Sequence, residues 1–83
     1  MRYAARVEVS LRDGISDPEG ATIERALPAL GFDGVHDVRA GRSFRLSVDA
    51  ESEAEAISLT QSLADRLLAN PVIERATVEL VEG

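Results

Sequence analysis

The sequence has no cysteine, no tryptophan and no lysine. The absence of cysteine excludes disulfide bonds and thiolate-bound metals. No apolar run approaches the roughly 18 residues of a membrane helix, so no membrane contact is expected. The N-terminus, "MRYAARVEVSL", alternates between apolar and polar residues and lacks the apolar block of a signal peptide. We therefore expect a cytoplasmic protein.

Aromatic residues and positive charge are also scarce. The only aromatic residues are Tyr3, Phe32 and Phe44, and the net charge is −6. Nucleic-acid binding usually needs a positive field and stacking rings, so we expect no nucleic-acid partner. The 83 residues allow one domain, spanning residues 1–83. A chain this short is marginally stable alone, which favours oligomerisation.

Two segments have the alternating pattern of strands with one buried face. The first runs from Tyr3 to Leu11. The last is "IERATVELV", residues 73–81, with Ala76, Val78 and Leu80 on one face.

The first predicted helix runs from Pro18 to about Leu30. Asp17 is placed to cap it, and Gly31 supplies the left-handed residue that ends it. Pro28 lies opposite the apolar stripe, and we expect it to cause a solvent-facing kink rather than to divide the helix. The predicted buried stripe consists of Ile23, Ala26, Leu27 and Leu30.

The second predicted helix begins after Ser52, which forms a capping box with Glu55. It ends at about Ala69, because the residue before Pro71 avoids the α region. The predicted buried face consists of Ala56, Ile57, Thr60, Leu63, Ala64, Leu67 and Leu68.

Between the helices, residues 35–40 and 43–49 are predicted to form a hairpin about Gly41. The element order is then βαββαβ. With right-handed crossovers this order predicts an α+β, ferredoxin-like two-layer sandwich, in which two helices cover one face of an antiparallel sheet.

No group of residues predicts catalysis or the binding of a cofactor or metal by this chain. A single histidine, His36, is most simply a surface or structural residue. The acidic run from Asp49 to Glu55 lacks the turn glycine of a calcium loop, and its last acids favour the helix dipole. Phosphate-binding glycine motifs are missing. The residues therefore favour a binding, regulatory or assembly role.

Two segments are candidates for partner contact. In "RAGRSFR", Arg39, Arg42 and Arg45 surround the predicted hairpin turn and could bind a phosphate or a partner's carboxylates. Equally, they could protect an edge strand from unwanted pairing. In "LLANPVIE", Asn70 and Pro71 form the turn, and Val72 and Ile73 add two aliphatic side chains that a turn does not need. One can pack on the last helical turn, and we assign the other to a subunit contact.

Four stretches together resemble the PurS family, the small subunit of phosphoribosylformylglycinamidine synthase. They are "DPEGATIERALPALGF", "VHDVRAGRSFRLSV", the helix with an acidic start, and "LLANPVIERATVEL". The sequence departs from the family at Pro28, where an ordinary helix former is expected, and at Arg42, where lysine is common.

The resemblance implies a subunit of an ATP-dependent carbon–nitrogen ligase that has glutamine as amido donor and acts in purine biosynthesis. The resemblance further implies that the subunit would have no active site of its own. It would join the glutaminase PurQ to the synthetase PurL and support ammonia transfer, during conversion of formylglycinamide ribonucleotide to formylglycinamidine ribonucleotide. The complex would use ATP and magnesium, and the subunit would form a homodimer or homotetramer.

A different class remains open from the residues alone. ACT-like regulatory modules share the βαββαβ order and bind small molecules at subunit interfaces. The loop "RDGISDPEG" could then supply backbone donors to a ligand carboxylate.

Overall fold

The computed structural model describes residues 1–81 and contains three strands and two α-helices. The strands are β1 (Arg2–Leu11), β2 (Gly41–Asp49) and β3 (Glu74–Val81). The helices are α1 (Pro18–Ala26) and α2 (Glu53–Leu63), each followed by a short helical segment, a 3₁₀ turn at Pro28–Leu30 and a π-helical turn at Ala64–Leu68.

The strands form an antiparallel sheet in the order β2-β1-β3. Val7 in the central strand lies opposite Phe44 on one side and Val78 on the other, so these apolar side chains share one face. Arg6, one residue earlier, lies opposite Arg45 and Glu79 on the polar face. The predicted α+β class and ferredoxin-like antiparallel arrangement are confirmed, with three strands in residues 1–81.

The predicted hairpin about Gly41 is wrong. Gly41 begins β2 and lies opposite Ser10, while residues 35–40 approach β2 without forming a strand. In this segment the N–H of Val38 donates to Glu24 Oε1 at 2.9 Å, and the N–H of Ala40 donates to Asp17 Oδ2 at 2.7 Å. Side chains of the first helical region therefore take the backbone donors that a hairpin would have used.

Helix α1 begins as predicted and ends earlier than predicted. Asp17 accepts a hydrogen bond from the N–H of Gly20 at 3.0 Å, which confirms the cap. The prediction of one kinked helix is wrong, because the α-helix ends at Ala26 and a separate 3₁₀ turn begins at Pro28. Proline has no N–H to donate to the Glu24 carbonyl, which accepts instead from Leu27, three residues on. Gly31 ends the turn with φ 89°, as predicted.

Helix α2 covers the apolar face of the sheet through small side chains. Ser52 accepts from the N–H of Glu55 at 3.1 Å, which confirms its cap. Ala56, Thr60 and Ala64 are fully buried, at spacings of four residues along one line of the helix. None of the helices in residues 1–81 is long and apolar enough to cross a membrane.

The predicted buried faces of both helices are only partly buried. The α1 stripe is the larger discrepancy, because Ile23 is 44% exposed and Leu30 is 69% exposed. On α2 and its π-helical extension, Ile57, Leu63 and Leu67 are also exposed. On α2 the buried residues Ala56, Thr60 and Ala64 lie on the predicted face, whereas none of the four residues of the predicted α1 stripe is buried.

Candidate functional site

The junction between the second helical region and β3 is a tight, hydrogen-bonded turn at Asn70. The Asn70 carbonyl accepts from the N–H groups of Ile73, at 3.1 Å, and Glu74, at 2.7 Å. Its side-chain oxygen accepts from the N–H of Val72 at 3.1 Å. Asparagine favours such turns because its side chain satisfies a backbone donor two residues on. The turn therefore fixes the direction of the following aliphatic residues.

Arg12, the residue that follows β1, donates two hydrogen bonds to carbonyl groups of the same turn. Its N–H donates to the Ile73 carbonyl at 2.8 Å, and its Nε donates to the Pro71 carbonyl at 3.0 Å. These two bonds connect positions about sixty residues apart along the chain. The junction is thus hydrogen-bonded to the end of the central strand.

Glu74, the first residue of β3, connects the junction to β2. Its carboxylate accepts from the N–H of Asn70 at 2.7 Å and from Arg42 Nη2 at 3.1 Å. The Asn70 hydrogen bond, and then the Arg42 guanidinium, lower the pKa of Glu74 below its ordinary value. Arg42 also donates to the carbonyl of Leu68, so one guanidinium joins the helix end to the strand.

Three exposed apolar side chains lie on either side of the turn, and we call them the junction patch: Leu67, Val72 and Ile73. Leu67 is 74% exposed and Val72 is 78% exposed, while Ile73 is 37% exposed. Val72 therefore does not supply the buried contact on the last helical turn that the sequence suggested for one of the two aliphatics. Exposed apolar groups held by a rigid turn are typical of protein–protein contact sites.

The three candidate arginines lie in different surroundings. Arg39 donates to the carbonyls of Ile15, at 3.2 Å, and Arg12, at 3.4 Å. Arg42 is directed to Glu74, and its guanidinium carbon lies 5.6 Å from the centre of the Phe44 ring. Arg45 is exposed. It lies three positions after Arg42 in β2, so the two side chains are on opposite faces of the sheet, and Arg45 is on the polar face. No hairpin turn joins the three residues, but Arg39 and Arg42 line the same surface depression beside Gly41, and Arg45 lies outside it.

The remaining chemical candidates are structural in their contacts. Asp49 forms an ion pair with Arg2 at 2.9 Å, and Glu53 and Glu55 lie in the first turn of α2. His36 is exposed in the segment before β2. Within residues 1–81, no group of three or more histidine and acidic side chains is placed to hold a metal ion.

Two carbonyl groups of the first loop after β1 are hydrogen-bonded within the chain. The N–H of Ile15 donates to the Arg12 carbonyl at 3.1 Å. The carbonyls of Arg12 and Ile15 both accept hydrogen bonds from the Arg39 side chain. Asp17 at the end of the loop accepts from Gly20 and Ala40, and these two N–H groups lower its pKa.

Reasoning from the sequence missed Arg12, Glu74 and Leu67 as parts of the site. The proximity of Arg12 to Glu74 could have been predicted, because antiparallel pairing of residues 3–11 with 73–81 places both residues at the same end of the sheet. The exposure of Leu67 could not have been predicted, because its position on the apolar stripe of the second helix predicts burial.

Comparison with known proteins gives a consistent assignment. The family described as "PurS: Phosphoribosylformylglycinamidine (FGAM) synthase" matches residues 4–82. The chain is 40% identical over 78 residues to the phosphoribosylformylglycinamidine synthase subunit PurS of Synechocystis, covering 94% of this chain and 78% of the relative.

Solved structures agree with the sequence match. The crystal structure of the purS subunit of this synthase from Thermotoga maritima superposes with a TM-score of 0.89 at 32% identity, covering 98% of this chain and 93% of the other. A chain in the structure of PurLQS from Thermotoga maritima superposes with a TM-score of 0.88 at 32% identity, covering 98% and 99%.

Proposed function

This chain belongs to the PurS family, and we propose that it is the non-catalytic subunit that joins PurQ and PurL in phosphoribosylformylglycinamidine synthase. The complex would use ATP, magnesium and glutamine to convert formylglycinamide ribonucleotide to formylglycinamidine ribonucleotide in the cytoplasm. The chain itself would bind no cofactor and would act as a homodimer or homotetramer within the complex.

The likeness to a chain of PurLQS over nearly its whole length is the observation that carries this proposal. The junction patch is consistent with it, because a subunit that joins others needs rigid apolar surface that its own core does not use. The ligand-sensor alternative has no comparable support, and we do not propose it.

Reconstitution with PurQ and PurL from the same source tests the role. Product formation is measured with glutamine and, separately, with ammonium salt as nitrogen donor. We expect glutamine-dependent synthesis to require this chain, while ammonia-dependent synthesis by PurL is much less affected, because ammonia from solution needs no transfer between subunits. Equal glutamine-dependent rates with and without this chain would contradict the proposal.

A further inference from the structure

The chain has seven backbone bonds at which a succinimide ring can be considered, one after each of its six aspartates and its single asparagine. In this reaction the backbone nitrogen of the following residue attacks the side-chain carbonyl carbon, and a five-membered ring closes. The nitrogen must carry a hydrogen, must be free to approach, and must not be shielded by its own side chain. Glycine meets the last condition best, because it has no Cβ.

Two of these bonds are excluded by the residue that follows. Asp17 and Asn70 each precede a proline. The proline nitrogen carries no hydrogen and is already bonded to three carbon atoms, so it cannot become the nitrogen of a succinimide. The asparagine at the junction is therefore protected from deamidation by this route, although it is exposed.

Three further bonds are restrained by the fold. The nitrogen after Asp37 donates its hydrogen to Glu24 Oε1 at 2.9 Å, and the nitrogen after Asp49 donates to the Met1 carbonyl at 2.9 Å. Asp65 lies inside the π-helical turn that follows α2. Ring closure at any of the three would require a hydrogen bond or a helical turn to open first.

The bond between Asp13 and Gly14 lies in a closed turn. The N–H of Ile15 donates to the Arg12 carbonyl at 3.1 Å across this turn, and Gly14 has a φ of 83°. Arg39 donates to the carbonyls of both Arg12 and Ile15. Because both sides of the bond are held, the backbone rotation that ring closure needs should be slow here.

The bond between Asp33 and Gly34 is the least restrained of the seven. Both residues are exposed, and a Cβ at Gly34 would meet no atom within 4 Å. In the described residues 1–81, no backbone carbonyl accepts from the Gly34 N–H. On either side of this bond, hydrogen bonds hold the N–H of Phe32, at 3.0 Å to the Leu27 carbonyl, and the N–H of Val38.

We propose that Asp33 is a modification site, at which aspartate converts spontaneously to isoaspartate. The Gly34 nitrogen forms a bond to the carbon of the protonated Asp33 carboxyl group, and the hydroxyl group leaves with the nitrogen's proton as water. Water then adds to one of the two ring carbonyls. Opening at the side-chain carbonyl restores aspartate, whereas opening at the main-chain carbonyl gives isoaspartate. One water is lost and one is gained, and no oxidant or reductant takes part.

The modification adds one carbon atom to the main chain and leaves the mass and net charge unchanged. The added atom lies between Phe32 and Val38, in the segment that leads to β2. The former main-chain carboxyl group becomes a free carboxylate on the Asp33 Cα. That group is the substrate of enzymes that esterify isoaspartate with a methyl group from S-adenosylmethionine. The proposal goes beyond the proposed function and does not depend on it.

Ageing of the folded chain at neutral pH and physiological temperature over several weeks tests the assignment. Trypsin cleaves after arginine, so Asp13 and Asp33 fall in separate peptides, residues 13–25 and 26–39. Electron-transfer fragmentation locates isoaspartate within each peptide, and purified isoaspartyl methyltransferase with labelled S-adenosylmethionine measures its amount. We expect isoaspartate to accumulate severalfold faster at Asp33 than at Asp13, and to be scarce at Asp37.

Two variants provide matched controls. Gly34→Ala places a methyl group where no atom obstructs it, so the fold should be kept while the methyl group hinders attack by the nitrogen. Isoaspartate at Asp33 should then fall severalfold, with the amount at Asp13 unchanged. Asp33→Glu keeps the charge and should remove the modification, because its ring would have six members and closes much more slowly. Circular dichroism confirms that both variants are folded.

Parallel ageing in guanidinium chloride gives the rates without the fold. We expect similar rates at Asp33 in the folded and unfolded chain, but a much lower rate at Asp13 in the folded chain. An Asp33 rate that folding suppresses as strongly as the Asp13 rate would overturn the proposal, as would equal rates in Gly34→Ala and the natural chain. Reconstitution with PurQ and PurL is read separately, so failure of the subunit role is distinguished from either result.

Discussion

The Val38 carbonyl oxygen lies against Gly20, so close that a Cβ on Gly20 would stand 2.4 Å from it. Alanine in a helix is normally favoured over glycine by about 1 kcal/mol. Here the obstructing atom belongs to the backbone and cannot rotate away, so we expect Gly20→Ala to lower the free energy of unfolding by about 1–3 kcal/mol. Urea unfolding followed by circular dichroism measures the change.

Gly34→Ala is the matched control for Gly20→Ala, because a Cβ at Gly34 meets no atom within 4 Å. We expect that variant to change stability by less than about 0.5 kcal/mol. Equal stability of the two variants would show that α1 is not held closely against Val38.

The parts of the fold that depend on local pattern were predictable. Alternation gave β1 and β3, and the capping roles of Asp17, Ser52 and Gly31 follow from side-chain chemistry that acts within three or four residues. The path of residues 35–40 was not predictable in the same way. It depends on the carboxylates of Asp17 and Glu24, and Asp37 takes a left-handed φ of 59° that no strand pattern signals.

In the candidate site, too, the locally determined features were predictable and those that depend on distant contacts were not. Asn70 and Pro71 form the predicted turn, and Val72 and Ile73 are exposed to different extents. The grouping of the three arginines assumed a hairpin turn at Gly41, where β2 begins instead, and Arg45 lies on the opposite face of β2 from Arg42. Helical periodicity likewise predicted that the α1 stripe is buried, whereas Ile23 and Leu30 are exposed.

Truncation of the junction patch should separate stability from association. Val72→Ala removes a side chain that is 78% exposed, so we expect unfolding to change by less than about 0.5 kcal/mol while binding to PurQ and PurL weakens. Ile73→Ala removes a more buried side chain and should cost about 1 kcal/mol of folding stability. Urea unfolding and sedimentation with the two partners measure both effects. Unchanged association of Val72→Ala would remove Val72 from the interface.

Charge reversal at Arg45 tests whether the candidate arginines contact a partner. Arg45 lies on the exposed polar face opposite Arg6, so Arg45→Glu removes a like-charge pair and should leave the fold intact. If a partner's carboxylates bind it, assembly with PurQ and PurL should weaken more at low salt than at high salt. Assembly that is unchanged at both salt concentrations would exclude Arg45 from the interface.

Arg42→Glu is the informative comparison for Arg45→Glu. It removes the donors to the Leu68 carbonyl and to Glu74, and it places a second negative charge beside Glu74. We therefore expect Arg42→Glu to lower folding stability, measured by thermal unfolding, whether or not a partner is present. Stability equal to that of Arg45→Glu would show that the Arg42 contacts contribute little.

The lowered pKa of Glu74 predicts a specific dependence of stability on pH. The Asn70 N–H and the Arg42 guanidinium favour the ionised carboxylate in the folded chain. The folded pKa lies below the unfolded value of about 4.3, so this stabilisation is complete above that value and is lost as pH falls through the folded pKa. Glu74→Gln should therefore be less stable than the natural chain at pH 7, and the difference should shrink below about pH 4.

Urea unfolding at a series of pH values between 7 and 3 measures that difference. Glu51→Gln removes the same charge from an exposed position before α2, and subtracting its effect isolates the contribution of the Asn70 and Arg42 contacts. A Glu74→Gln difference that stays constant down to pH 3 would contradict the assignment, because a carboxylate that has become protonated no longer attracts the guanidinium. A stability difference that shrinks below about pH 4 would show that protonation of Glu74 contributes to the loss of folding stability in acid.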